Sequence, residues 1–261
     1  MKSLHIAATG MMAQELNVEV ISNNIANMRT TGYKRQRAEF QDLLYQNLRR
    51  MGTATSDSGT VVPTGVQIGS GVRTAATTRI MSQGNVQSTE RELDVAIRGE
   101  GFFQVEMPDG RTTYTRDGSF ERSPDGTLVT VDGYTVVPGI TIPDNAKDVT
   151  INSEGTVQAI IGNAAQAQTL GQIQLARFVN KAGLEAIGDN LFMETDASGP
   201  AQVSDPGIDS TGTILQRHLE MANVVAVTEI SDLIAAQRAY EMNSRVVRAA
   251  DEMASTTSQL R

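Results

Sequence analysis

LEMANVVAVTEISDLIAAQRAYEMNSRVVRAADEMASTTSQLR, residues 219–261, is the stretch whose reading decides the fold. Neither Pro nor Gly interrupts it, so nothing in it breaks a helix. Ile230, Leu233, Tyr240, Val247, Ala250 and Ala254 return at helical intervals, which gathers them on one side. At 1.5 Å per residue such a helix would run to roughly 50 Å, longer than a compact domain of this size requires. It needs a partner along its length. Glu229 and Asp232 near its start suit the helix dipole, and Glu241 stands one turn before Arg245. Gln237 and Ser244 interrupt the apolar seam. Polar residues at seam positions weaken a helix pair but fix its register and neighbours, so this helix is expected to join an assembly.

The other end of the chain supplies a matching element. Ser3 is placed to cap a helix in which Leu4, Ala8, Met11, Val18, Ile21 and Ile25 recur with helical spacing to about Met28. Gly32 can take the left-handed conformation that closes it, after which Tyr33 leaves the axis. Inside lies an amide cluster, Asn23, Asn24 and Asn27, of residues that form helices poorly and are placed for hydrogen bonds. The expectation is that Leu4, Ala8, Met11, Val18 and Ile25 pack with Ile230, Leu233, Tyr240 and Val247, neighbouring copies completing the burial and the amides setting register. Without neighbours both ends would expose apolar surface, so they are expected to be partly disordered in the isolated chain and to order on association.

Between the ends, Phe40, Leu43, Leu44 and Leu48 predict a short helix over residues 34–50. Its flanking Lys34, Arg35, Arg37, Arg49 and Arg50 read as a solvated face. Residues 51–71 have the Gly, Ser and Thr content of a linker or exposed hairpin. The period then changes. Leu93, Val95 and Ile97 alternate with polar residues, Phe102 to Val105 follow a Gly-Glu-Gly turn, and Asp-Gly recurs at 109, 117, 125 and 132. Further strands are predicted at 149–151, 156–161 and 172–179, so 85–206 reads as an antiparallel meander. The fold class is α+β: a discontinuous terminal helical coiled-coil domain, 1–50 with 216–261, a linker over 51–88, and an inserted, mainly antiparallel β domain over 89–215.

Composition excludes several chemistries. With 22 basic and 30 acidic residues the net charge is −8, against a surface built to hold nucleic acid. Without Cys there is neither a disulfide nor a thiolate metal site, and two His, His5 and His218, do not make a His-rich one. A carboxylate-only calcium site stays open. No apolar run approaches the roughly 20 residues of a membrane span, and the N-terminus has no apolar core of a cleavable signal. The Gly-x-Gly pairs at 69–71 and 99–101 lack the rest of a phosphate-binding loop, and turn geometry already explains each Asp before Gly. No catalytic, cofactor or metal site is expected.

Four ordered motifs carry a resemblance that spans nearly the whole chain. They are SNNIANMRTTGYKR (22–35), ELDVAIRGEGFFQV (92–105), TRDGSFERSPDGTLV (115–129), and LEMANVVAVTEISDLIAAQRAYEMNSRVVRAADEM (219–253). With these the chain resembles the axial rod and hook proteins of the bacterial flagellum. Asn223, Gln237, Arg238, Tyr240, Glu241 and Asn243 stand at the family's characteristic positions, and Ala222 stands where Ser is usual. Residues 63–87 and the chain length look like the distal-rod branch, with a proximal-rod or hook-like subunit as the alternative.

The resemblance implies a structural subunit, not an enzyme, that needs no cofactor and self-assembles into a helical tubular drive shaft around the export channel. It implies as partners further copies of the chain, proximal-rod subunits, the hook or its junction, the surrounding L and P rings, and the flagellar type III export apparatus, with no nucleic acid. It places the chain in the basal body, as a rod crossing the periplasm, exported without a cleaved signal. The implied assembly interface comprises Leu4, Ala8, Met11, Val18, Asn23, Asn24, Ile25, Asn27, Thr31, Gly32, Tyr33, Asn223, Ile230, Leu233, Gln237, Arg238, Tyr240, Glu241, Asn243 and Val247. Residues 51–71 are expected to add contacts between subunits that stiffen the rod.

Overall fold

A computed structural model describes residues 2–49, 51, 64–162 and 166–259, with side chains described to residue 256. The chain divides into two compact units: Met1–Ile25, Gln36–Thr78 and Val225–Arg261 form the first, Ala26–Arg35 and Arg79–Val224 the second.

The first unit holds both long helices. Helix α1, Lys2–Ala26, begins before Ser3, which therefore lies within the helix and does not cap it. It is buried along two lines. Ala7 and Ile21 lie on one, Thr9, Ala13, Val20 and Asn24 on the other. The second line faces two paired strands, β1 (Gln36–Asp42) and β4 (Val72–Arg79). Thr9 Oγ1 accepts the Val72 N–H at 3.3 Å, and the Asn24 side chain exchanges two bonds with the Gln36 backbone, at 2.8 and 2.9 Å. An amide in the last turn of α1 thus pairs with the first residue of β1 as a neighbouring strand would.

The predicted helix over 34–50 is absent. Its residues form β1 and then β2 (Tyr45–Arg49), which pairs antiparallel with β3 (Val66–Gly69). Leu44 and Leu48, whose spacing suggested a buried helical face, are 87% and 60% exposed. Pairing with distant strands outweighs local spacing when the segment buries little of its own surface. Of the predicted linker, 52–63 lies outside the described residues, as does Arg50, while 66–69 is strand.

Helix α2 is shorter than its sequence suggested, running Ala226–Gln259. Leu219 and Glu220 belong instead to strand β20 (His218–Glu220), paired with β5 (Val86–Ser88).

The second unit is antiparallel β structure. Its largest sheet has the path β16 (Glu185–Gly188), β17 (Leu191–Met193), β8 (Thr112–Thr115), β7 (Phe102–Glu106), β11 (Thr135–Val136), β10 (Leu128–Thr130), β9 (Phe120–Arg122). Off that path β15 (Leu175–Arg177) joins β7 to β18 (Gln202–Ser204). A three-stranded meander of β12 (Ala146–Ile151), β13 (Thr156–Ile161) and β14 (Gln168–Gln172) and a ladder of β6 (Val95–Arg98) with β19 (Thr213–Gln216) complete it. The meander expectation holds for hairpins such as β7–β8 and β12–β13–β14. It fails where β7 pairs with β11 and β15, because a central strand takes whichever long-range edges cover its apolar faces.

The core packs Val95, Ile97, Phe103, Phe120, Leu128, Val157, Ile173 and Ile214 together, with Phe103 edge-on to Phe120 at 5.0 Å. A second cluster sets Phe178 edge-on to Phe102 and Tyr114. Three of the four Asp-Gly pairs end in left-handed glycine, at Gly110, Gly126 and Gly133. Gly118 differs: a Cβ there would lie 1.6 Å from the Val95 carbonyl oxygen, so this glycine permits a close crossing of backbones.

Candidate functional site

Two clusters gather the residues that the sequence singled out. In the second unit, three stretches far apart in sequence meet. The backbone carbonyl of Glu220 accepts the Gly32 N–H at 2.7 Å, and Ile80 N–H donates to the Arg35 carbonyl at 2.9 Å. Gly32 has φ +69°, and a Cβ on it would stand 2.7 Å from the Asp117 nitrogen, so the left-handed turn predicted there also fits against a neighbouring backbone. Thr31 offers its carbonyl to Asn190 Nδ2 at 3.1 Å, and Tyr33 is buried.

Asn223 is the staple of this cluster. Its Oδ1 accepts the Arg35 N–H at 2.7 Å, and its Nδ2 donates to the carbonyls of Ile80 and Ser82 at 2.8 and 3.1 Å. One amide therefore holds three segments, each within a few residues of a crossing between the units.

Beneath it lies a buried charge cluster that the sequence did not reveal. Lys34, read as part of a solvated basic face, is fully buried and donates to the Glu220 carboxylate and to the Ser82 carbonyl. The second oxygen of Glu220 accepts from Arg116 at 3.2 Å, and the Gly84 N–H donates to the first at 2.8 Å. Arg116 also donates to the Gly99 carbonyl at 2.7 Å. Burial lowers the pKa of Lys34, outweighing the attraction of Glu220, and lowers that of Arg116 for the same reason. Lys34 and Glu220 carry no local sign of pairing, since long-range pairing has no sequence period.

In the first unit the two helices run antiparallel. Asn24 donates to the Glu229 carboxylate at 3.1 Å, while Gly10 lies against Asn243 the same number of residues away along each helix. A Cβ at position 10 would stand 2.9 Å from Asn243 Nδ2, so this glycine admits the amide. Glu229 stands in the first turn of α2, where it suits the helix dipole, and is also buried in this pairing.

The remaining candidates divide by exposure. Leu4, Ala8, Met11, Val18, Ile25, Asn27, Leu233, Asn243 and Val247 are half-buried, while Asn23, Ile230, Gln237, Arg238, Tyr240 and Glu241 face outward. Val18 and Tyr240, expected to pair, border one groove with Glu15, Glu19, Gln237 and Glu241.

Buried polar groups that hold distant chain segments, and a helix pair built from the two ends of the chain, define a protein of the α+β class. Three family models match the chain in order: a flagella basal body rod protein over residues 4–34, the flagellar hook protein FlgE/F/G D1 domain over 96–159, and the flagellar basal body rod FlgEFG protein C-terminal region over 215–260. The chain belongs to the FlgG family of flagellar basal-body rod proteins and is a structural subunit of the flagellar rod.

Similarity extends from end to end. The chain is 57% identical over 261 residues to the flagellar basal-body rod protein FlgG of Caulobacter vibrioides, covering 100% of both chains. It is 56% identical to that of Agrobacterium fabrum, covering 99% of each, and 45% identical to that of Borreliella burgdorferi, covering 100% of this chain and 99% of the relative.

Proposed function

We propose that this subunit builds the distal rod: copies polymerise through their terminal helices, as coiled coils, into a hollow helical shaft that carries torque from motor to hook and encloses the export channel. Its role is mechanical rather than catalytic. Proximal-rod subunits and the hook-side junction are its axial neighbours, the L and P rings surround it, and the type III export apparatus delivers it across the periplasm without a cleaved signal.

One observation carries this reading. Helix α2 leaves Val227, Ile230 and Ile234 76%, 48% and 45% exposed at positions that share one side of the helix. A line of exposed apolar residues along one side of a helix marks a surface suited to contact with another. The candidate interface residues that face outward, Asn23, Ile230, Gln237, Arg238, Tyr240 and Glu241, are assigned to contacts between copies. Those used inside the subunit, Asn24, Gly32, Tyr33 and Asn223, are assigned to shaping the surface that copies share. Within residues 51–71, β3 with Val66 and Ile68 exposed is assigned to stiffening contacts between subunits.

Electron cryo-microscopy of intact basal bodies carrying this chain tests the reading. Density for it between the proximal rod and the hook, with both terminal helices lining the channel, is the expected result, and density among hook or proximal-rod subunits counts against it. Hydrogen exchange on the isolated chain tests the ordering of the ends: weak protection of α1 and α2 is expected, rising on polymerisation.

A further inference from the structure

Asp-Gly, the pair that recurs at 109, 117, 125 and 132, invites attack of the main chain on its own side chain. Glycine carries no Cβ to obstruct the approach of its nitrogen to the aspartate Cγ. The reaction still needs a backbone free to turn and a carboxyl group free of partners. The fold grants both at one of the four pairs.

Asp109 is held by Arg111, whose backbone N–H donates to Oδ1 at 3.0 Å and whose Nε donates to Oδ2 at 2.6 Å. These bonds lower the Asp109 pKa and keep the group ionised, the form in which oxygen leaves carbon least readily. Asp117 accepts from the N–H and hydroxyl of Ser119 at 3.0 and 2.7 Å, and Gly118 is closed in by the Val95 carbonyl. Gly126 is buried and fixed on both sides: its N–H donates to the Ser123 carbonyl at 2.8 Å, and its carbonyl accepts the Ile142 N–H at 2.7 Å. Asp132 and Gly133 differ on each count. Both are exposed at the tip of the β10–β11 hairpin, and no atom lies within 4 Å of a Cβ built on Gly133. Among the described residues the Asp132 carboxylate has no hydrogen-bond or ion-pair partner. The Gly133 N–H makes a turn bond to the Thr130 carbonyl at 2.9 Å, and exposed bonds of this kind open at low free energy.

We propose that Asp132 is a modification site, at which the aspartate isomerises spontaneously to isoaspartate. When the turn opens, the Gly133 nitrogen gives up its proton and bonds to Cγ of the protonated Asp132 carboxyl group, whose hydroxyl takes up a proton and leaves as water. A succinimide ring results. Water then adds to either ring carbonyl. Addition at Cγ breaks the new bond and restores aspartate, while addition at the main-chain carbonyl breaks the original peptide bond and leaves the chain running through Cβ and Cγ. One water leaves and one returns, so the step needs no oxidant and no cofactor. The product lengthens the main chain of the hairpin tip by one carbon and exposes a new α-carboxylate.

Isotope uptake tests it. The folded full-length chain is aged in mildly acidic, heavy-oxygen water and digested, and label and isoaspartate are located at each Asp by electron-transfer mass spectrometry. Local opening sets the rate, so Asp132 should carry at least about fivefold more isoaspartate than Asp109, Asp117 or Asp125. In concentrated guanidinium chloride the four pairs should agree within about twofold, since the restraints that separate them are gone. Methyl transfer to the aged folded chain by an isoaspartyl methyltransferase should fall by more than about half in Asp132→Glu, because the other three pairs are restrained. A folded chain in which Asp132 does not lead, an unfolded chain in which it leads by the same factor, or unchanged methylation of Asp132→Glu would overturn the proposal.

Discussion

Lys34 and Glu220, 186 residues apart in sequence, form an ion pair with both side chains closed off from solvent. Arg116 and the Gly84 N–H share the same carboxylate, so one anion serves two buried cations. A buried carboxylate in this position is costly to remove, because its loss strands charges that water cannot reach. Glu220→Leu is therefore expected to destabilise the second unit by about 3–5 kcal/mol, read as a lowered denaturant midpoint followed by a β-specific probe.

The same pair gives a pH signature. Because burial holds the Lys34 pKa below its usual 10.5, the unfolded chain binds this proton more tightly than the folded one. The Lys34 contribution to stability must then rise with pH from its lowered folded value up to 10.5. Unfolding free energies of the wild type and Lys34→Met, compared at neutral and alkaline pH, should diverge in favour of the wild type as pH increases. Convergence would mean that Glu220 raises the lysine pKa instead.

Tyr114 moves the other way. Burial, with Glu194 nearby, pushes its phenol up to about 12 from 10.0. Its contribution is complete below pH 10.0 and is lost as pH climbs through about 12, where the folded group finally ionises. Phenolate absorbance should show a tyrosine titrating at about 12 that disappears in Tyr114→Phe.

Asn223→Ala removes the acceptor for the Arg35 N–H and the donor to two carbonyls at once. The Arg35 N–H and the Ile80 carbonyl lose this partner while the Ser82 carbonyl keeps Lys34, so the loss should cost about 2–6 kcal/mol, at roughly 1–3 kcal/mol for each of the two. Amide exchange at Arg35 should accelerate more than exchange in β7, which lies in the core of the unit. Asn223→Asp keeps the acceptor alone and should protect Arg35 better than alanine does.

Two glycines of the Asp-Gly pairs separate conformational from steric need. At Gly133, φ is +85° with no atom within 4 Å of an added Cβ, so Gly133→Ala should cost only the left-handed penalty of about 1–2 kcal/mol. At Gly118 an added Cβ meets the Val95 carbonyl oxygen, so Gly118→Ala should cost more than about 3 kcal/mol. Thermal melts of the two variants should rank them in that order.

Several elements are legible in the amino-acid sequence alone. The apolar spacing and uninterrupted composition around Leu233 and Val247 specify α2, the repeat from Leu4 to Ile25 specifies α1, and alternation around Val95 to Val105 specifies the entry to the β unit, because each of these signals has a local period. Gly32 announces its left-handed turn, since closing a helix is also a local requirement. The motif residues Asn24 and Asn223 are visible as unusual, but not what their amides hold.

What only the tertiary structure decided lies at long range. Residues 36–49 are strands and not a helix because β4 and β3 come to pair with them, and Leu219–Glu220 leaves the helix because β5 does the same. Lys34 is buried and not solvated because Glu220 and the Ser82 carbonyl close around it. By itself the sequence determined the elements with a period of their own and the family to which the chain belongs. Which polar side chains became buried staples was decided by desolvation and hydrogen bonding between segments up to 205 residues apart, the separation of Asn24 from Glu229, and no window along the chain contains that information.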